Sequence, residues 1–357
     1  MATNNLAVII DELSGGGVEK QILNLASSTL NADFNVTIFH KKTLNLELDI
    51  SDDINIRRLS SWRLIWVFQI ISILKSDNIV LSNMKHINIK IGIICLFIKH
   101  MAKIIFVEHT YTATSLLNEP WLKSKIIKFF IHKTYSIVPD KIICVSDGVK
   151  SGLVDHFSVP ENMIEVIYNG IILYKNKYKR DDNEIIKGQS FAFVGRFSKA
   201  KNIPFLINAF ELVSNKFPDI RLDLYGDGED HKTTKLLVES KNLSEKIYFR
   251  GFQNNPFSQF HENTCLLLTS EWEGFGNVIV EALGAGFPVI SSNCLAGPSE
   301  ILQGQKYGYM YDVGKLDELV VLMTKFIENG LEVYPSRAYD FSIAENSKKY
   351  KKVLQSL

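Results

Sequence analysis

The sequence predicts an α/β fold made of two doubly wound parallel-sheet domains, one after the other. Three observations carry this. Thirteen short, apolar, β-rich runs alternate with helix-length segments. A polar, aperiodic stretch, Ile171–Gln189, divides them into seven and six. Glycine-bearing turns follow soon after the strand that opens each half. Strands that are apolar along their whole length are buried on both faces, as in parallel sheets covered by helices. At 357 residues the chain is long enough for two such domains.

The strands of the first half are expected at Leu6–Ile10, Val36–His40, Ile54–Leu59, Ile79–Ser82, Lys103–His109, Lys141–Ser146 and Ile164–Tyr168. Those of the second half are Phe191–Gly195, Arg221–Gly226, Ile247–Arg250, Cys265–Ser270, Val289–Ser292 and Tyr307–Tyr311. The domains are therefore placed at 1–175 and 186–335, joined by a featureless linker. Beyond Pro335, Ser342 is a fair helix N-cap, and Glu345 three residues later completes a capping-box pattern. A helix over about 343–357 follows, expected to pack back on the first domain.

Composition excludes several classes. With 40 Lys+Arg against 39 Asp+Glu and 46% hydrophobic residues, the chain is neither disordered nor a polyelectrolyte. A net charge of +1 argues against nucleic acid as a partner. Residues 1–180 nevertheless hold 21 cations and 16 acids, and 55–133 alone hold 12 against 3. Such an excess points to an anionic partner, phosphate or a lipid surface. Cys95, Cys144, Cys265 and Cys294 are far apart in apolar surroundings and read as buried hydrophobes in a reducing compartment. The uncharged start leads straight into a strand, so no signal peptide is expected. The longest apolar run, Ile91 to Ile98, is too short to span a membrane.

Three constellations carry chemistry. The first, Ser14-Gly15-Gly16-Gly17-Val18-Glu19-Lys20, lets backbone approach a ligand at a strand-to-helix turn. It lacks the third glycine of a dinucleotide fingerprint, and His40 stands where that motif needs an acid. The second is Gly195-Arg196 with Lys201, where two cations can converge on one dianion above the strand ends. The third is the strongest: Glu273-Gly274-Phe275-Gly276-Asn277-Val278 leading to Glu281. Glycines and a helix start make an anion site there. The two carboxylates cannot bind phosphate and should accept hydrogen bonds from hydroxyls on either side of it.

Glu273 and Glu281, with seven residues between them, resemble the paired-glutamate signature of the retaining GT-B glycosyltransferases of family 4. Gly195-Arg196 with Lys201, Tyr225-Gly226-Asp227-Gly228, Gly251-Phe252 and Gly297-Pro298-Ser299-Glu300-Ile301 follow in the family's order and spacing. The resemblance implies two Rossmann-like domains facing each other across a cleft, a first one for the acceptor and a second for a nucleotide sugar. It implies that Arg196 and Lys201 bind the donor diphosphate and that Glu273 accepts from donor-sugar hydroxyls. Phe275, Gly276, Asn277 and Val278 would contact phosphate and sugar, Glu281 the ribose, and Gly251 and Phe252 the base. Gly15, Gly16 and Gly17 would line the donor site. His109 matches the family's histidine beside the donor sugar. The sequence departs from the family's pattern at Thr110, where an acid often stands, and at Ile172, which replaces the Asp of the usual Asn-Gly-[Ile/Val]-Asp turn.

The expected reaction is transfer of a hexose or N-acetylhexosamine, from UDP rather than GDP, with retention and with no metal or other cofactor. Asp227-Gly228-Glu229 offers two carboxylates, too few for a metal site. Trp62–Phe68, Lys85–Lys103 and Trp121–Phe130 mix cations with aromatic residues, which suits peripheral contact with an anionic membrane and a glycan acceptor linked to a lipid diphosphate. The location implied is the cytoplasmic face of the inner membrane. A nucleotide-sugar epimerase of similar fold and a non-catalytic sugar-nucleotide-binding module are the alternatives.

Overall fold

The computed structural model describes residues 4–13, 17–27, 33–41, 54–117, 120–174 and 178–357. It divides into two compact units: Met1–Ile171 with Ser342–Leu357, and Ile172–Phe341.

In the first unit, β1 (Asn4–Ile10), β2 (Phe34–His40), β3 (Asn55–Arg58), β4 (Ile79–Asn83), β5 (Lys103–Glu108), β6 (Lys141–Cys144) and β7 (Ile164–Val166) form one parallel sheet. Its order is β3-β2-β1-β4-β5-β6-β7. The helices between them are α1 (Gly17–Leu25), α2 (Arg63–Ser76), α3 (Lys85–Phe97), α4 (Thr112–Leu117), α5 (Trp121–Tyr135) and α6 (Asp147–Phe157). The order reverses between β1 and β4, the doubly wound arrangement in which ligands bind beyond the carboxyl ends of the strands. Leu6, Val8, Ile38, Leu81, Ile105 and Ile143 are fully or nearly fully buried, as continuous apolar runs require.

The second unit repeats the topology. Its strands are β8 (Ile185–Ile186), β9 (Ser190–Val194), β10 (Arg221–Tyr225), β11 (Ile247–Gly251), β12 (Thr264–Leu268), β13 (Val289–Ser292), β14 (Tyr309–Tyr311) and β15 (Leu331–Glu332). The main sheet is parallel in the order β11-β10-β9-β12-β13-β14, with its reversal between β9 and β12. Helices α7 (Ile203–Lys216), α8 (His231–Ser240), α9 (Asn277–Gly284), α10 (Pro298–Leu302) and α11 (Leu316–Glu328) belong to it. The last helix, α12 (Ile343–Gln355), starts at Ser342, whose hydroxyl accepts from the Glu345 N–H. It belongs to the first unit, where Tyr350 and Leu354 enter the core. Asn346 donates to the Tyr168 carbonyl at 2.6 Å and lies where a side chain on Gly170 would fall.

The stretch Ile171–Gln189 is not the featureless linker that its polarity suggests, in the part described. Ile185–Ile186 pairs antiparallel with Leu331–Glu332. Arg180 is buried and donates to the Gly286 carbonyl at 2.8 Å and the Glu262 carbonyl at 2.5 Å. Its guanidinium also stacks over Tyr178 and Phe287. The long side chains of Tyr178 and Arg180 combine apolar body with polar tip, so a sequence that reads as hydrophilic still docks. Residues 175–177 lie outside the described residues.

Candidate active site

In the second unit, two loops meet beyond the carboxyl ends of β9 and β12. The loop after β9 carries Gly195, Arg196 and a turn of 3-10 helix, Lys199–Lys201. The loop after β12 carries Ser270 to Gly276. They are stapled together. Glu271 N–H donates to the Ala200 carbonyl at 2.8 Å, and Asn202 Nδ2 to Glu271 Oε1 at 3.2 Å. The Thr269 hydroxyl donates to the Lys201 carbonyl at 2.9 Å. Ser292 Oγ donates to the Ser270 carbonyl at 2.7 Å, tying in β13.

These bonds fix two charged side chains. Lys201 Nζ lies 2.5 Å from Glu273 Oε1, and Ser270 Oγ donates to the same oxygen at 2.6 Å. Arg196 is instead exposed and pairs through Nε with Glu229 Oε2 at 3.1 Å, on the turn after β10. The two cations expected on one dianion are thus each held by a carboxylate. Asp227 accepts from the Gly228 N–H, so neither acid of the Asp227–Glu229 segment is idle. Among the described residues, no group of three His, Cys, Asp or Glu stands close enough to hold a metal.

Gly276 is the N-cap of α9 at φ +97°, a conformation glycine adopts without strain. A glycine cap brings no side-chain acceptor to the first turn, and that turn attracts anions. Gly297 sits at φ +95° with its α-carbon face against the Phe275 carbonyl; a Cβ there would lie 1.9 Å from that oxygen. Close backbone approach of this kind holds the loop against α10. The Phe275 ring is buried edge-on against Phe341, and Val278 is buried too. The side chains of these two residues are core, so any contact they make with a ligand falls to their backbone. Glu281 lies one turn into α9, near Tyr174. Burial first, and the Glu281 charge second, push the Tyr174 hydroxyl up to about 12. Tyr174 donates to the Asn254 carbonyl at 2.8 Å. Gly251, at φ +66°, has open space where a side chain would be, and the Phe252 ring is half exposed beside it.

In the first unit, Gly17 opens α1 and is exposed, whereas Gly15 and Gly16 lie outside the described residues. His109 follows β5, is buried, and has its pKa lowered to about 4 by that burial. Its Nε2 lies 3.1 Å from Asn83 Oδ1. Behind it, Glu108 is fully buried and accepts from Asn88 Nδ2 at 2.9 Å, from Thr112 Oγ1 at 3.2 Å and from the Tyr135 hydroxyl. Burial pushes the Glu108 carboxyl up against the opposing pull of these bonds. Sequence reasoning missed Asn83 and gave Glu108, Glu229 and Ser270 no role at the site. The common signal of Asn83, Glu108 and Ser270 is a polar residue at or just past the end of an apolar strand.

Two doubly wound parallel-sheet units, the second with a glycine-bearing loop at its reversal point, make the GT-B architecture. Residues 15–174 match the profile of glycosyltransferase family 4, and residues 175–349 that of glycosyl transferases group 1. The chain belongs to this family of glycosyltransferases. It is 34% identical over 190 residues to an uncharacterized glycosyltransferase of Methanocaldococcus jannaschii, covering 51% of this chain and 46% of that protein. It is 27% identical over 227 residues to the lipopolysaccharide 1,6-galactosyltransferase of Escherichia coli K12, covering 58% and 62%. The chain thus spans about half to three-fifths of the length of these relatives. Among solved structures, HepE of Anabaena in complex with UDP and glucose superposes with a TM-score of 0.81 at 15% identity, over 99% of this chain and 100% of that one. That likeness is one of fold.

Proposed function

We propose that the chain is a retaining glycosyltransferase that moves a hexose or N-acetylhexosamine from a UDP-sugar to a lipid-diphosphate-linked glycan in cell-surface polysaccharide assembly. The observation that carries this reading is the Lys201–Glu273 pair at the mouth of the second sheet, beside the glycine-capped start of α9. It presents a cation and the helix terminus to a diphosphate, and a carboxylate to sugar hydroxyls, at one place. In the reaction the bond from the anomeric carbon to the UDP oxygen breaks and a bond to the acceptor oxygen forms. The acceptor's proton passes to the departing phosphate. Negative charge grows on that phosphate, where Lys201, Arg196 and the α9 terminus stabilise it, with no metal required. On the second unit, Glu273 holds the sugar, Glu281 the ribose, and the Gly251–Phe252 turn the base; on the first unit, His109 is the group suited to a sugar hydroxyl.

One structural neighbour and one relative support the substrate class. HepE was solved with UDP and glucose. A Campylobacter jejuni relative, 30% identical over 190 residues, is an N-acetylgalactosaminyltransferase acting on a diphospho-undecaprenol substrate. The acceptor side rests on the first unit. There α3 packs between α2 and α5, and Trp62, Leu64, Phe68, Phe97, Trp121, Leu122 and Phe129 are exposed. Lys125 stands 4.0 Å over the Trp121 ring. Cations interleaved with exposed aromatics suit an anionic lipid surface at the cytoplasmic face. No helix among the described residues is long and apolar enough to cross a membrane.

The test is a thermal-shift panel of UDP- and GDP-sugars, followed by product analysis. A ligand at a hundred times its Kd raises stability by about 2.7 kcal/mol. Stabilisation by a GDP-sugar alone would refute the UDP assignment; stabilisation by none, or a free isomerised sugar as the product, would refute the transferase reading. Co-sedimentation with anionic vesicles at low salt tests the membrane contact, and no binding there would remove it.

A further inference from the structure

The environment of His109 fixes more than its position. Asn83 closes β4 and is buried, and in the β4–β5 ladder it stands opposite Val107. His109 lies two residues past Val107, on the same face of the sheet by strand periodicity. Asn83 Nδ2 donates to the Ile9 carbonyl at 3.4 Å and to the Leu81 carbonyl at 3.3 Å. Carbonyls only accept, so both amide hydrogens are committed and Oδ1 is the atom facing the imidazole. Oδ1 in turn can only accept, so His109 Nε2 must carry the hydrogen of the 3.1 Å bond between them. A neutral imidazole has one hydrogen. Nδ1 is therefore a bare lone pair, and it is buried with no partner among the described residues. The next residue, Met84, stands at φ +77°, ψ 131°, a conformation that costs a non-glycine residue energy and persists where the surroundings impose it. That strain falls at the junction where the chain leaves Asn83 and enters α3.

We infer that Asn83 is a positioning residue: it holds His109 as the Nε2–H tautomer, so that Nδ1 is the acceptor for a hydroxyl of the sugar substrate. The assignment of the hydroxyl rests on the nucleotide-sugar reading above; the tautomer does not. An orphaned buried acceptor is costly unless a donor arrives, and sugar hydroxyls are donors that UDP alone lacks at this position. An imidazole locked the other way would present N–H and would select an acceptor instead.

The tautomer is read from nitrogen-15 spectra of the free wild-type protein labelled at histidine, with His109 assigned by its loss in His109→Gln. The expected result is a protonated Nε2 and an unprotonated Nδ1 at neutral pH. A protonated Nδ1 would overturn the inference, and this measurement needs no Asn83 variant to fold. In Asn83→Leu the imidazole is no longer held, and signal from the Nδ1–H form should appear. Calorimetry then compares UDP with UDP-glucose, UDP-galactose and UDP-N-acetylglucosamine. Asn83→Leu should bind UDP within about two-fold of wild type, and the tightest UDP-sugar at least about five-fold more weakly. UDP-sugar affinity and tautomer both unchanged in that variant would overturn the role of Asn83. Failure of UDP to bind the wild type would refute the nucleotide-sugar reading and the hydroxyl assignment with it, while the free-protein spectrum still decides the tautomer.

Discussion

The Lys201–Glu273 pair lends itself to a double-mutant cycle, with Arg196–Glu229 as the internal control. The two pairs share charge type and differ in burial. Side-chain exposure is 19% and 11% in the first and 72% and 56% in the second. Two unit charges 2.5 Å apart attract by about 6–7 kcal/mol at an effective dielectric of about 20, before desolvation. Desolvation of each ion offsets much of this, so a net coupling of about 1.5–3 kcal/mol is expected. For the exposed pair, screening and side-chain entropy leave below about 1 kcal/mol. Lys201→Met should cost about 2–4 kcal/mol, since it strands the Glu273 carboxylate with the Ser270 hydroxyl in place of a cation. In a unit of this size that is a Tm drop of roughly 5–15 °C. The double variant Lys201→Met, Glu273→Gln should regain part of the loss. Thermal unfolding measures the cycle, and UDP-sugar turnover is measured on the same variants. Turnover should fall at least about 10²-fold in all three and stay down in the double variant, because restored stability does not restore charge at the phosphate. Equal coupling in the two pairs would refute the burial argument. Near-native turnover in either single variant would remove that residue from the catalytic site.

Acid stability should reveal His109. Its folded pKa of about 4 lies below the unfolded 6.5, so the unfolded state binds the extra proton. Stability from this group is intact above pH 6.5 and is lost as pH falls towards 4, by about 3 kcal/mol in all. Glu108, raised by burial, acts in the opposite sense, so the wild-type curve minus that of His109→Gln is the quantity to read; a flat difference would contradict a buried neutral His109. Arg180→Ala should cost the second unit about 2–3 kcal/mol of stability in thermal unfolding, and Arg180→Lys should recover less than half, because an ammonium cannot span two carbonyls as the guanidinium fork does. Full recovery with lysine would mean that charge alone matters there. Gly297→Ala should weaken UDP binding by about ten-fold or more by displacing the Phe275 carbonyl; unchanged affinity would uncouple that loop from the nucleotide.

Each of the thirteen strands that the sequence predicts is present, and several predicted ends run past the ladder. His109, Ser146, Gly195, Gly226 and Ser270 are read as strand from their neighbours but lie just past the ladder. They are the glycine and polar residues at the carboxyl mouth, where hydrogen bonding gives way to loops that hold ligands. The same residue types that blur the boundary mark the site. Elements without a period were illegible: the two-residue strands Ile185–Ile186 and Leu331–Glu332 are shorter than any alternation can signal. Arg180 was hidden for another reason, since a buried arginine satisfied by two backbone carbonyls looks in sequence like a solvated one.

Partners of the site residues show where one-dimensional reading stops. Ser270 lies three positions before Glu273 and was within reach of inspection. Asn83 and Glu229 lie 26 and 33 positions from the groups they bind, and only strand order brings them near. Given that order, the inference becomes simple: adjacent parallel strands end in register, so polar residues closing neighbouring apolar strands must meet. That rule pairs Asn83 with His109 across β4 and β5; across β12 and β9 the contacts of Thr269 and Glu271 reach instead to backbone carbonyls of the 3-10 turn after β9, which the rule does not foresee. In each unit the contacts fall on a strand beside the reversal point. There the helices on either side diverge, and the backbone is open to a ligand. The candidate site residues gather at the mouth because polar side chains there meet buried polar neighbours, as His109 meets Asn83 and Glu273 meets Ser270.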